Sequence, residues 1–288
     1  MSMARMHRRR WIAAVVMSAV MTHWQSLSAV SKTALAVARV RADESAAGNA
    51  LFDDPYAEAF LAACGEPARL PRDWGPLAVA LRFQTVIRTR FYDDQLLQSG
   101  CDQVVLLAAG LDTRAYRLSW PSGTRLYELD LPPVLEFKHR VLAAQSAGSR
   151  CDRTAVPADL LSTTWADRLV DAGFDPGRPA AWLVEGLLVY LTADEAGALL
   201  RTVGELSAPL SRLGLERGRS GRTTLDDPSV AHITSLWKGG LGAGTAEWLE
   251  GHCWDTEAHP LDTVAAHYGR PTANPSGTGF ITAVRTTR

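Results

Sequence analysis

Several short apolar runs in the middle of the chain end in a carboxylate or a glycine turn. Gln103–Ala109 leads into Gly110-Leu111-Asp112-Thr113-Arg114, Thr124–Leu129 into Asp130, Ala181–Val184 into Glu185, and Arg212–Leu215 into Glu216. Continuous apolar runs of this length read as buried parallel strands. In an open α/β sheet the ligand sits beyond the carboxyl ends of such strands. Gly110 allows a close backbone approach to a ligand. Asp130 follows it by 20 residues, the spacing at which a carboxylate reaches both hydroxyls of a ribose. A dinucleotide fingerprint would also need glycines at 108 and 113, where the chain has Ala108 and Thr113, so the phosphate cradle is missing. An adenosine site without a phosphate site points to S-adenosyl-L-methionine. The alternative for Asp130 is a solvent-facing residue of an ordinary turn. A nicotinamide-dependent oxidoreductase shares the Asp130 spacing but lacks its phosphate loop here. A hydrolase finds no G-x-S-x-G nucleophile motif.

The elements that must position these ends follow from pattern. Residues 31–65 read as helical, with Asp53-Asp54-Pro55 opening a second helix. Residues 77–99 form a long helix carrying Arg82, Arg88 and Arg90. A third strand spans 154–156. Helices are predicted over 133–147, 162–172 and 193–207, the last with Thr192 and Glu195 at capping-box spacing. Trp254–Glu257 and Thr278–Arg285 read as sixth and seventh strands forming a hairpin-like antiparallel end. The predicted fold is α/β: a Rossmann-like, seven-stranded, mostly parallel sheet with helices on both faces, an antiparallel C-terminal strand and a helical N-terminal cap.

Composition agrees. The 288 residues are 47% hydrophobic and 21% charged, the balance of one large globular domain. A formal net charge of −1 argues against a nucleic-acid partner bound by bulk electrostatics. That total conceals an asymmetry: seven basic and no acidic residues precede Asp43, and the remainder carries 23 basic and 31 acidic side chains. The four cysteines lie far apart, and no metal site is expected. Residues 7–29 resemble a secretory signal, a basic stretch followed by an apolar run too short for a bilayer span. The favoured reading of 1–30 is a dispensable disordered extension of a cytoplasmic protein, with export as the alternative. Residues 31–288 read as one domain, with 31–99 as the helical cap and 218–250 as a Gly- and Trp-containing lid insertion.

The segments LLAAGLDTRAYRL (106–118), YELDLPPVLEFK (127–138), PADL (157–160) and EGLLVYL (185–191) resemble successive motifs of the leucine carboxyl methyltransferase-like group. RADES (41–45), LFDDPYAEAF (51–60) and RTRFYDD (88–94) match upstream. This group is a branch of the class I S-adenosylmethionine-dependent methyltransferases that includes polyketide carboxyl methyltransferases. The resemblance runs from about Ser31 to the C-terminal GFITAVR; family members more often carry Gly where this chain has Ala109. It implies that Arg90, with Arg88 as alternate, holds the methionine carboxylate as a bidentate partner. Ala109, Gly110 and Asp112 would pass beneath the amino-acid portion, and Asp130 would bind the ribose. Asp159 and Leu160 would flank the adenine. Glu185 would face the methionine amine or the substrate, and Tyr190 would line the acceptor pocket, so Glu185 and Tyr190 are the catalytic candidates. Glu128 is expected on the opposite sheet face from Asp130, in a structural role.

Methyl transfer from a sulfonium is an in-line displacement in which the enzyme mainly aligns the partners and excludes water. A carboxylate acceptor needs no general base, whereas a phenol or alcohol does. No histidine directly follows any of the first five strands. The expected activity is therefore O-methylation of a small molecule in secondary metabolism, with a carboxylate acceptor favoured over a hydroxyl. A non-catalytic S-adenosylmethionine-binding domain is the remaining alternative.

Overall fold

The structure, a computed structural model, describes residues 28–65, 75–217, 227–272 and 278–287. Most of the N-terminal extension, the first part of the expected lid (218–226) and the stretch 273–277 lie outside the described residues. Seven strands form one sheet: β1 (Gln103–Leu107), β2 (Arg125–Asp130), β3 (Asp152–Pro157), β4 (Ala180–Val184), β5 (Arg212–Arg217), β6 (Trp254–Pro260) and β7 (Gly279–Arg285). Their order is β3-β2-β1-β4-β5-β7-β6. The pairs among β1 to β5 are all parallel, and β7 runs antiparallel to both β5 and β6. The order reverses between β1 and β4, which puts a crevice at their carboxyl ends.

The chain-order helices are α1 (Ala29–Ser45), α2 (Ala57–Ala63), α3 (Pro76–Leu97), α4 (Arg114–Arg117), α5 (Pro132–Ala144), α6 (Trp165–Asp171), α7 (Ala193–Glu205), α8 (Ala231–Thr234), α9 (Thr245–Glu250) and α10 (Leu261–His267). Strand side chains alternate between two cores, as a period of two requires. Val104 and Leu106 of β1 pack with Leu35, Phe60, Ile87 and Phe137 from α1, α2, α3 and α5. Val105 and Leu107 pack with Trp165, Leu169 and Leu199 from α6 and α7. The expected capping box closes α7: Thr192 Oγ1 accepts from Glu195 N at 3.2 Å, and Glu195 Oε2 accepts from Thr192 N at 2.7 Å.

Two local expectations are corrected. The helix expected from Asp53-Asp54-Pro55 begins later, at Ala57. Asp54 leads into it, its Oδ1 accepting from Tyr56 N at 3.1 Å and its O from Ala57 N at 3.3 Å, while its Oδ2 accepts from Arg41 Nε and Thr113 Oγ1, each at 2.7 Å. The antiparallel C-terminal end forms as expected, β6 pairing with β7 with α10 between them in the chain. Glu128 does not face away from Asp130: the strand period places both on one face, and depth separates their fates. Glu128 is fully buried and its Oε2 accepts from Lys138 Nζ at 2.7 Å and Arg153 Nη2 at 2.6 Å.

This buried triad ties β2, β3 and α5 together. Removing the carboxylate strands two buried cations, which costs about 3–5 kcal/mol when a buried pair is broken. Glu128→Gln is expected to lose stability on that scale in urea denaturation; a loss below about 1 kcal/mol would show that the triad is not a structural tie.

Candidate active site

The crevice end of β1 turns sharply. Ala108 and Gly110 both adopt left-handed backbone, with φ of 52° and 50°. Gly110 suits that conformation, whereas for alanine it stores strain of about 1 kcal/mol or more. The departure from glycine is therefore felt at Ala108 rather than at Ala109, which is buried with no positive φ. The turn is clamped from the helical cap: Arg41 of α1 donates from Nη2 to Leu111 O at 2.6 Å. Its Nε pairs with the fully buried Asp54, which also accepts from Thr113.

Asp130 closes the end of β2 against this turn. Its Oδ2 accepts from Gly110 N and its Oδ1 from Leu131 N, each at 2.7 Å. Each oxygen keeps a second lone pair, and no cation forms an ion pair with Asp130 among the described residues. Burial raises its pKa against the two backbone donors that lower it. At the adjoining end of β3, Ala158 N donates to Asp130 O at 2.9 Å. Asp159 lies one residue further on, exposed, its Oδ1 accepting from Leu161 N at 2.9 Å. Leu160 packs partly against the core beneath.

At the switch point the charges run in one chain of ion pairs. Arg114, at the start of α4, donates from Nε to Asp93 of α3 at 2.7 Å and from Nη1 to Glu185 at 2.7 Å. The same Nη1 pairs with Asp112. Arg117 also grips Asp93, at 2.6 and 2.7 Å. Arg88 of α3 lies between Glu185, 2.8 Å from its Nε, and Glu216, 2.6 Å from its Nη1. The Nε approach is an ion-pair contact without hydrogen-bond geometry. No hydrogen bond from Arg88 Nη2 to a described residue occurs. Glu216 also accepts from Gly186 N, at 2.8 and 2.9 Å. Burial pushes Asp112 up, but Arg114 and more distant cations outweigh it and hold the carboxyl at about 2. Glu185 is likewise raised by burial and then lowered below its ordinary value by Arg114 and Arg88. Glu216 goes the other way, because burial outweighs its single guanidinium partner.

The two candidate arginines part company here. Two residues apart on an α-helix lie about 200° apart around its axis, so α3 can turn only one of them to the strand ends. That one is Arg88. Arg90 faces α10 instead: it pairs with Asp94 at 3.0 Å, donates to Leu51 O at 3.0 Å and lies over the Tyr268 ring at 5.6 Å. Tyr92, one turn from Arg88, is buried with a hydroxyl that has no hydrogen-bond partner. Sequence reasoning missed Tyr92, Asp93 and Arg114 as site members. The only available signal was their position inside the RTRFYDD and LDTR segments.

Tyr190 ends a 3₁₀ turn, Leu188–Tyr190, just beyond β4 and is half-buried. The described part of the expected lid docks on this turn. Lys238 N and Gly239 N donate to Val189 O at 2.8 and 3.0 Å, and Gly240 N donates to Leu191 O at 2.9 Å. Gly240 has φ +56°, and a Cβ there would stand 2.6 Å from Leu188 O, so glycine is required. At the other end of the segment, Asp227 Oδ2 accepts from Leu77 N and Ala78 N in the first turn of α3.

Two substitutions distinguish the arginines without any ligand. Arg88→Met removes the cation between Glu185 and Glu216, so the Glu216 pKa, already raised, climbs further above its unfolded value of about 4.3. Stability from a raised carboxyl is present below the unfolded pKa and lost as pH rises through the folded one. The Arg88→Met deficit relative to wild type is therefore expected to grow from pH 5 to pH 8 in urea denaturation. Arg90→Met breaks a half-exposed pair and is expected to cost under about 1 kcal/mol at either pH. Equal, pH-independent losses would contradict the placement.

The family profile described as leucine carboxyl methyltransferase matches residues 34–204, more than half of the chain. A protein of Parafrankia sp. (strain EAN1pec) is 46% identical over 278 residues, covering 91% of this chain and 89% of its own length. One from Frankia alni is 48% identical over 270 residues, covering 89% and 94%. Both bear the name "Putative S-adenosyl-L-methionine-dependent methyltransferase". Among solved structures, a DUF574 family protein from Streptomyces avermitilis superposes with a TM-score of 0.56 at 18% identity, over 86% of this chain and 96% of that one. That likeness supports the fold. The chain belongs to the leucine carboxyl methyltransferase family of S-adenosyl-L-methionine-dependent methyltransferases.

Proposed function

We propose that the protein methylates an oxygen of a small molecule, with a carboxylate as the favoured acceptor and a methyl ester as the product. The observation that carries this reading is the commitment of the carboxylates at the switch point. Glu185 is paired with Arg88 and Arg114, and Glu216 is held by Arg88 and Gly186 N. Glu185, paired with two arginines and below its ordinary pKa, is a poor proton acceptor, and Glu216, though burial raises its pKa, has both oxygens engaged by Arg88 and Gly186 N. Two of the histidines of the C-terminal third are engaged elsewhere: His252 stacks on Trp248, and His259 bonds Thr282. An ionised carboxylate acceptor asks for no base.

The residues fit the cofactor that the family uses. The open lone pairs of Asp130 suit the two ribose hydroxyls, and Gly110 leaves the turn beside it bare. The free Nη2 edge of Arg88 suits the methionine carboxylate, which makes Arg88, rather than Arg90, the residue we assign to that contact. Asp159 and Leu160 stand beyond β3 where the adenine would lie, and Ala109 and Asp112 keep their place in the turn beneath the amino-acid portion. When bound, the cofactor supplies a methyl group already activated on a sulfonium. Glu185 orients Arg88 and Arg114 and would face the amine. Tyr190 and the docked segment around Lys238–Gly240 wall the acceptor side and exclude water.

Two measurements test the reading. Asp130→Ala removes two charge-assisted hydrogen bonds, each worth about 1.5–3 kcal/mol, so affinity for S-adenosylmethionine in calorimetry is expected to fall at least about tenfold. The methylated product is expected to be cleaved by mild alkali. An alkali-stable ether product would refute the carboxylate version while leaving the methyltransferase intact.

A further inference from the structure

The chain of ion pairs at the switch point is not neutral. Arg88, Arg114 and Arg117 supply three positive charges, and Asp93, Asp112, Glu185 and Glu216 supply four negative ones. Every member is wholly or largely buried, where a surplus charge is felt strongly because little water screens it. Asp93 and Glu185 each meet two arginines, and Asp112 meets the Arg114 side chain and backbone N–H with Lys138, Arg117 and Arg41 adding more distant attraction. Glu216 has one guanidinium and one backbone N–H. Burial and the neighbouring Glu185 raise its carboxyl pKa against the pull of Arg88. Beside it lie the Tyr92 hydroxyl, which has no hydrogen-bond partner among the described residues, and Arg88 Nε, which makes an ion-pair contact with Glu185 but no hydrogen bond.

We propose that Glu216 is a positioning and specificity-determining residue that supplies the surplus negative charge and so biases the site toward the sulfonium of the methyl donor over the neutral thioether of the demethylated product. The inference rests on the cofactor site assigned above. Donor and product carry the same carboxylate and ammonium groups, which cancel. The donor has one further positive charge on sulfur, and the product has none. A cluster with one excess negative charge is balanced by the donor and left unbalanced by the product, so transfer itself weakens retention of what remains. Glu216 acts through charge and through its hold on Arg88 and Gly186, without touching the reacting atoms.

The test is calorimetric titration of the full-length protein with S-adenosylmethionine, S-adenosylhomocysteine and the donor analogue bearing an ammonium in place of the methylsulfonium. Glu216→Gln keeps the shape and an oxygen for Gly186 N but removes the charge. It is expected to shift the donor-to-product affinity ratio toward the product by at least about threefold, whereas Glu216→Asp keeps the wild-type ratio even if both affinities fall. An unchanged ratio in Glu216→Gln, or a shift toward the donor, overturns the proposal, since loss of Arg88 positioning alone would weaken both ligands together. If Glu216→Gln does not fold, the wild type decides: the ammonium analogue is expected to bind at least about threefold more tightly than the product, and equal or weaker binding overturns the proposal. A folded wild type that binds none of the three ligands overturns the cofactor reading instead.

Discussion

Everything at the crevice depends on how Arg114 is paired. Its side chain is 2% exposed, and a guanidinium taken out of water must be met by carboxylates or it destabilises the fold heavily. It meets three, from three places: Asp93 on α3, Asp112 on its own turn and Glu185 beyond β4. One side chain thus fixes the distance between the first strand's turn, the long helix and the switch-point strand. The consequence reaches the chemistry. Glu185, committed to two buried arginines and held below its ordinary pKa, is a poor proton acceptor, which agrees with the base-free transfer proposed above.

The helical cap belongs to the same construction. RADES and the Asp54 segment are far from the crevice in the chain, yet Arg41, Asp54 and Thr113 form one buried group that holds the carbonyl of Leu111. The left-handed alanine at 108 persists because this clamp and the Asp130 to Gly110 bond over-determine the turn. Residues 41–45 and 51–60 therefore share motif status with the strand ends because they shape the same turn from outside the sheet.

Residues 227–240 tie into the arrangement at two points. Asp227 caps the first turn of α3, the helix that carries Arg88, and the Lys238–Gly240 stretch docks on the turn that carries Tyr190.

The amino-acid pattern alone determined the α/β class, the strands and their ends, the antiparallel seventh strand, the capping box at Thr192 and the strand-end positions of Gly110, Asp130 and Glu185. These are local properties: apolar runs, periodicity and turn chemistry act within a few residues. The tertiary structure decided the rest. It turned Arg88 rather than Arg90 to the strand ends, because helix rotation lets only one of them face that way and the partner that receives it, Glu216, is 128 positions away. It buried Glu128 in a triad on the same face as Asp130, because α5 covers that depth of the sheet. It gave Asp54 a second task, its Oδ2 holding Arg41 and Thr113 while its Oδ1 and carbonyl meet the start of α2. Pairing of buried charges is settled by which elements pack together, and no spacing along the chain encodes it.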